Sequence, residues 1–184
     1  MSPPLPWIRH DPLTERPFAS KDVPLVRDPG KARIESGYVP GRKGKSIALG
    51  PNGGFYFNSG LESIEESARR NLESCGASAG VACMILAADD VFVVPVPTTF
   101  KVLGFFRAAG NSAIAADARD DAARKLADAP SGWSAVAIGA AGRPGLGLKA
   151  TSEQNAVNDA LGNCVKRDSE CHVIAIGPFA VGPN

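Results

Sequence analysis

The chain carries one module twice, and that self-similarity constrains its fold more than any other feature. Ser46-Ile47-Ala48-Leu49-Gly50-Pro51-Asn52-Gly53 aligns with Ala135-Val136-Ala137-Ile138-Gly139-Ala140-Ala141-Gly142 at an offset of 89 residues. The same offset carries Ser63 onto Ser152, Leu72 onto Leu161 and Cys75 onto Cys164. One residue is then dropped, and Cys83-Met84-Ile85-Leu86-Ala87 falls on Cys171-His172-Val173-Ile174-Ala175 at an offset of 88. Only six of the thirty positions from Ser46 to Cys75 are identical, but apolar, Gly, helix-cap and Cys positions recur in one order. A repeat of this length reports architecture: each copy is one supersecondary unit.

Within each copy the local signals agree. Residues 45–49 read as a short strand, Pro51-Asn52-Gly53-Gly54 as a turn, and Phe55 to Asn58 as a returning strand. Asn-Gly favours such a hairpin because both residues tolerate positive φ. In the second copy residues 134–138, the turn around Ala141 to Pro144, and residues 146–149 take these parts. A helix follows in both, expected over 63–75 and 152–164. Ser63 with Glu66 reads as a capping box, as does Thr151 with Gln154. Ile64, Ala68, Leu72 and Cys75 share one apolar face, matched by Val157, Leu161 and Cys164. Strands over 82–87 and 171–176 come next, and 91–96 and 179–181 suggest a fourth strand in each copy. The expected fold is α+β: two tandem strand-strand-helix-strand modules about a pseudo-twofold, preceded by a proline-rich extended arm.

This reading divides the chain into the arm (1–45), the first module (46–97), a linker with an amphipathic helix (98–133) and the second module (134–184). Eight of the fifteen prolines fall in the arm. Proline fixes φ and removes a donor, which predicts extended chain with brief turns, and one short helix over 28–38. Trp7, Ile8, Phe18 and Val26 predict that the arm packs along a surface. The counterpart of the 28–38 helix is an amphipathic helix expected over 115–129, where Ala118, Ala122 and Leu126 recur at spacing four.

Each copy holds two cysteines, Cys75 with Cys83 and Cys164 with Cys171, with seven and six residues between them. Equivalent placement of an even count predicts two local disulfides. Closing so short a loop is worth about 2.6 kcal/mol in the chain-entropy model. Disulfides imply an oxidising compartment, and so a periplasmic or secreted protein. The alternatives are four reduced cysteines in a cytosolic protein, or a metal site, which the absence of C-x-x-C spacing disfavours. Met1-Ser2-Pro3-Pro4 has neither the basic start nor the apolar stretch of a signal peptide. An exported chain with this start is expected to be a mature form with an initiator Met added. The net charge of +1 gives no bulk attraction to nucleic acid or a membrane surface. No apolar run approaches the roughly 20 residues that span a bilayer.

Motifs for chemistry are few. Gly76-Ala77-Ser78-Ala79-Gly80 matches the nucleophile-elbow string, but a helix precedes it and a strand follows, the reverse of the order that chemistry needs. It reads as a small-residue loop between paired cysteines. Gly145-Leu146-Gly147-Leu148-Lys149-Ala150 matches a dinucleotide string, yet lies where a hairpin strand is expected. The two histidines, His10 and His172, lie in the arm and at the start of a strand. No catalytic, cofactor-binding or metal-binding set emerges, and no cofactor is expected. Arg42, Lys43 and Lys45 form one compact basic cluster, either a solvated loop or a docking point for an acidic partner.

The cysteine pairs, with the strings Ala135-Val136-Ala137-Ile138-Gly139 and Cys171-His172-Val173-Ile174-Ala175-Ile176-Gly177-Pro178-Phe179-Ala180-Val181, resemble an uncharacterised family of exported alphaproteobacterial proteins with tandem paired-cysteine repeats. The resemblance covers residues 45–184 and implies fold and compartment, with no catalytic residue. Some members carry an aminolevulinate synthase label, but no Lys here sits in a recognisable pyridoxal-phosphate context. The expected function is a non-catalytic exported binding or accessory protein, a small subunit of a larger periplasmic assembly. Its partner would be another protein, contacted through Trp7, Ile8, Phe18, Arg42, Lys43 and Lys45. A small-ligand binder using a cleft between the modules is the alternative, and a small hydrolase the third reading.

Overall fold

The computed structural model describes residues 10–183. The chain is α+β, with four α-helices and two five-stranded antiparallel sheets. It divides into two units. One holds His10 and residues 15–94; the other holds Asp11–Thr14 and residues 95–183. Trp7 and Ile8 lie outside the described residues.

The first unit runs β1 (Arg16–Pro17), α1 (Asp28–Gly37), β2 (Ser46–Leu49), β3 (Phe55–Asn58), α2 (Ile64–Ala79), β4 (Met84–Ala88) and β5 (Val91–Phe92). Its sheet order is β1-β5-β4-β2-β3. The second runs β6 (Lys101–Phe105), α3 (Arg119–Ala127), β7 (Trp133–Ile138), β8 (Gly145–Ala150), α4 (Glu153–Cys164), β9 (His172–Ile176) and β10 (Phe179–Gly182). Its order, β6-β10-β9-β7-β8, is the same element for element. A β-bulge recurs as well: register slips between Ile47 and Ala48 against β4, and between Val136 and Ala137 against β9. In each case one extra residue on the facing strand, Leu86 or Ile174, is left without a partner.

The repeat reaches further back than residue 46. Arg16 faces Phe92 as Gly104 faces Ala180, and Pro17 faces Val91 as Phe105 faces Phe179. Phe18 N–H donates to the Asp90 carbonyl at 2.8 Å, and Phe106 N–H to the Pro178 carbonyl at 2.9 Å. Short 3-10 turns follow at Ser20–Asp22 and Ala108–Gly110, then α1 and α3. The proline-rich segment thus supplies a strand and a helix of its own. Residues 98–133, expected as a linker, carry the second unit's counterparts of those elements.

Each sheet is covered by a helix on both faces. Successive side chains of a strand point to opposite faces. Asn58 of β3 meets Ser67 of α2, whereas a Cβ added at Gly30 or Gly37 of α1 would press on Phe55 or Phe57. Under α2, the core gathers Ala48, Ala68, Cys75, Ile85, Ala88 and Val93. On the α3 side of the second sheet it gathers Ala108, Ile114, Ala122 and Ile138.

The helix starts depart in one place from expectation. Ser63 caps α2 by accepting the Glu66 amide at 3.1 Å, as expected, but the Glu66 carboxylate bonds Arg69 and Arg70 and does not complete the capping box. For α4 the cap is Ser152, accepting the Asn155 amide at 3.1 Å, and not Thr151. Thr151 instead accepts from the Asn155 side chain. Such a cap is worth about 1 kcal/mol. α2 also runs four residues past Cys75. Gly76-Ala77-Ser78-Ala79, expected as loop, forms its last turn, and Gly80 closes it at φ 70°, a conformation glycine adopts without strain.

Candidate binding groove

β3 ends its sheet, so one of its edges has no strand partner. That edge lies between α1 and the C-terminal turn of α2, and the space forms a groove of about 510 Å³. Its apolar lining comes from Phe55 and Phe57, whose rings stack with centroids 6.3 Å apart and planes 5° from parallel. Tyr56 contributes from the opposite side of the strand, its hydroxyl bonded to Ser78 Oγ at 2.6 Å. Arg33, exposed on α1, sets its guanidinium 5.3 Å from the Phe55 ring centroid. Asn52 completes the rim and accepts the Gly54 amide at 3.2 Å. No acidic side chain lines the groove, and among the described residues Arg33 has no carboxylate partner. A groove of this size with aromatic walls and a few polar groups falls in the range of binding sites.

The second unit has a groove at the equivalent place, along β8, of about 230 Å³. There Asp121 stands for Arg33, Pro144 for Phe55, Gly145 for Tyr56 and Arg167 for Ser78. Asp121 is held by Lys125 and Arg124, whose bonds keep its carboxyl below the usual carboxylate range. Asn163 of α4 donates to the Leu146 carbonyl on the β8 edge at 2.7 Å. Pro144 has no amide to offer at that edge.

The helix-to-sheet contacts behind the two grooves also differ. In the first unit a buried polar network joins β2, β3 and α2. Ser46 Oγ and Ser67 Oγ lie 2.8 Å apart, Ser67 also bonds Asn58, and Asn71 donates to the Ser46 carbonyl at 3.0 Å. In the second unit those four positions are Ala135, Gly147, Ala156 and Ala160, and backbone meets backbone. A Cβ at Gly147 would collide with the Ala156 carbonyl, and one at Gly145 with the Cys164 amide. The G-x-G string of residues 145–147 is therefore a strand that admits a helix closely.

The other residues singled out from sequence fall as follows. Cys75 bonds Cys83 and Cys164 bonds Cys171, so no thiolate is left to hold a metal. Phe18 is half-buried in an aromatic cluster, 5.1 Å from Tyr38 and 4.9 Å from Phe92. Arg42 and Lys43 are exposed. Lys45 is not part of that exposed cluster: its side chain turns inward and the residue is 1% exposed. Its ammonium donates to the Tyr38 and Val39 carbonyls, both at 3.0 Å, and pairs with Asp90 at 3.1 Å. Asp89 accepts the Gly44 amide, and the Tyr38 hydroxyl donates to the Asp89 carbonyl at 2.6 Å. Burial, and then the charges of Asp89 and Asp90, push the Tyr38 phenol above its ordinary range. The three ammonium donors of Lys45 are thus met within the protein.

Ser78, the serine of the elbow-like string, lies in the last turn of α2 with its hydroxyl on Tyr56. A nucleophile elbow requires a strand-to-helix turn, which this is not. His172 is exposed at the start of β9, and His10 pairs with Glu15 at 2.6 Å. No helix of the described residues is long and apolar enough to cross a membrane. The groove itself went unpredicted, because it draws on segments around residues 33, 55 and 78 that only the fold brings together. No protein-family model matches the chain, and no curated protein or solved structure shows significant similarity to it.

Proposed function

We propose that the chain is a non-catalytic binding or accessory protein of an oxidising compartment, a small subunit of a larger periplasmic assembly. The observation that carries this reading is the groove along β3: aromatic walls, an exposed guanidinium and an unpaired strand edge on one unit. The two local disulfides fit such a compartment. The buried polar groups around Lys45 bond one another, which suits a structural role. The resemblance to an exported family of paired-cysteine repeats implies the same compartment.

The test is crosslinking in the native host followed by purification under oxidising conditions. One protein should be captured in a fixed ratio, and the same pair should re-form from purified components. A chain that crosslinks to nothing reproducible, or that turns over a substrate in the purified state, defeats the reading.

A further inference from the structure

We propose that the β3 edge takes an extended segment of a partner protein as an additional strand, with a carboxylate side chain of that segment meeting Arg33. This deepens the accessory-protein reading and rests on it. An antiparallel edge strand turns the amide and carbonyl groups of alternate residues away from its neighbour. Leu146 marks those positions in the second unit, since its carbonyl is bonded by Asn163 outside the sheet. By the shared register, Phe55 and Phe57 hold the corresponding outward groups of β3. Among the described residues no hydrogen bond covers them.

The comparison between the copies is what selects this edge. Proteins blunt exposed edges with proline and with side chains that occupy the edge groups. The second copy does both, through Pro144 and Asn163. The first has Phe55 and Ser74 at those positions, neither of which closes the edge. Its groove is also larger in volume, about 510 Å³ against about 230 Å³. Charge selects the occupant. Arg33 stands free of any carboxylate among the described residues and no acid lines the groove, so an incoming acidic side chain would gain a charge-assisted, two-pronged bond. Main-chain bonds to the edge supply affinity, and alternate side chains supply selectivity.

The experiment selects binders from a display library of short random peptides on the intact, disulfide-bonded protein. Enriched sequences should alternate β-branched or aromatic residues around an Asp or Glu. A synthetic copy of the best binder should lose about tenfold in affinity against Arg33→Glu. Methylating its edge-facing amides should abolish binding. Ser74→Asn and Phe55→Pro, which place the second copy's residues on the first copy's edge, should each weaken binding by at least about tenfold. Ser74 is exposed, so its variant leaves the core intact. Enrichment without an acidic residue, or binding indifferent to both Arg33→Glu and Ser74→Asn, overturns the proposal. So does self-association that Ser74→Asn abolishes while no peptide is enriched, because the occupant would then be a second copy. If a native partner is captured but its binding survives these variants, the edge assignment fails and the accessory reading stands.

Discussion

At Lys45 the first unit departs from the second, where the same position is Ser134. Around it, Tyr38 answers to Leu126, Asp89 to Gly177 and Asp90 to Pro178, so a polar cluster in one copy replaces an apolar residue, a glycine and a proline in the other. Removing one partner from a buried hydrogen-bonded set leaves the others unmet, which costs more than the bond itself contributes. Lys45→Met keeps the volume but strips the Tyr38 and Val39 carbonyls of their donor, and should destabilise by about 2–4 kcal/mol in urea unfolding. Asp90 is the exposed partner, with 67% of its side chain in solvent, so Asp90→Asn should cost less than about 1 kcal/mol. Equal losses would place the energy in the ion pair and not in the carbonyl bonds. Tyr38 adds a pH dependence. Its folded phenol holds its proton above the ordinary value of 10 because of burial and the neighbouring acids. Above pH 10 the unfolded chain releases a proton that the folded chain keeps. Stability is therefore full below pH 10 and falls above it, by up to about 1.4 kcal/mol per pH unit. Urea midpoints on either side of pH 10 should show this decline, and Tyr38→Phe should flatten it.

At the scale of elements, the two copies solve one packing problem in two ways. α2 meets its sheet through Ser46, Asn58, Ser67 and Asn71, and α4 meets its sheet through alanines and Gly147. Each solution is closed on itself, so half of either should be worse than both. Asn71→Ala leaves the Ser46 hydroxyl and carbonyl short of a donor and should cost about 1–3 kcal/mol. Gly147→Ala presses a methyl group onto the Ala156 carbonyl and should cost about 1–3 kcal/mol. Replacing Ser46, Asn58, Ser67 and Asn71 together with Ala, Gly, Ala and Ala should cost less than the four single changes summed, because they share partners. A strictly additive result would mean that the hydroxyls and amides act separately. None of this was legible from sequence, although the elements themselves were. Strand periodicity, the Asn-Gly turn, the Ser63 cap and the cysteine spacing are local signals, each set by a few adjacent residues. The inward turn of Lys45 depends on carbonyls at residues 38 and 39 and a carboxylate at residue 90. Read along the chain, Arg42, Lys43 and Lys45 form one patch; folded, only the first two reach solvent. The choice of Ser152 over Thr151 as cap turned on a one-residue shift in where the helix begins, which composition alone does not fix.

At the scale of the molecule, the duplicated unit includes everything from β1 to β5, and again from β6 to β10. In its earlier half the paired helices were legible, but β1 and β6 escaped the sequence comparison because the positions that match are few and scattered: Phe18 with Phe106, Val26 with Ile114, Ile34 with Ala122. Those pairs keep only apolar character; the helix expected over 28–38 is α1, whereas the two-residue strand β1 before it is too short to show in a proline-rich segment. The two copies differ both at the β3 edge with the residues beneath it and around Lys45. The disulfides, by contrast, keep the same place in both, tying each helix end to the strand that follows. A crosslink across so short a loop acts mainly on the unit that contains it. Cys75→Ser with Cys83→Ser should therefore cost about 2–3 kcal/mol. Amide hydrogen exchange should quicken in the last turns of α2 and in β4, while α4 and β9 keep their protection. The reciprocal pair, Cys164→Ser with Cys171→Ser, should reverse that pattern. If either pair instead quickens exchange equally throughout residues 15–183, the chain opens as one cooperative body, and the two copies share a single stability.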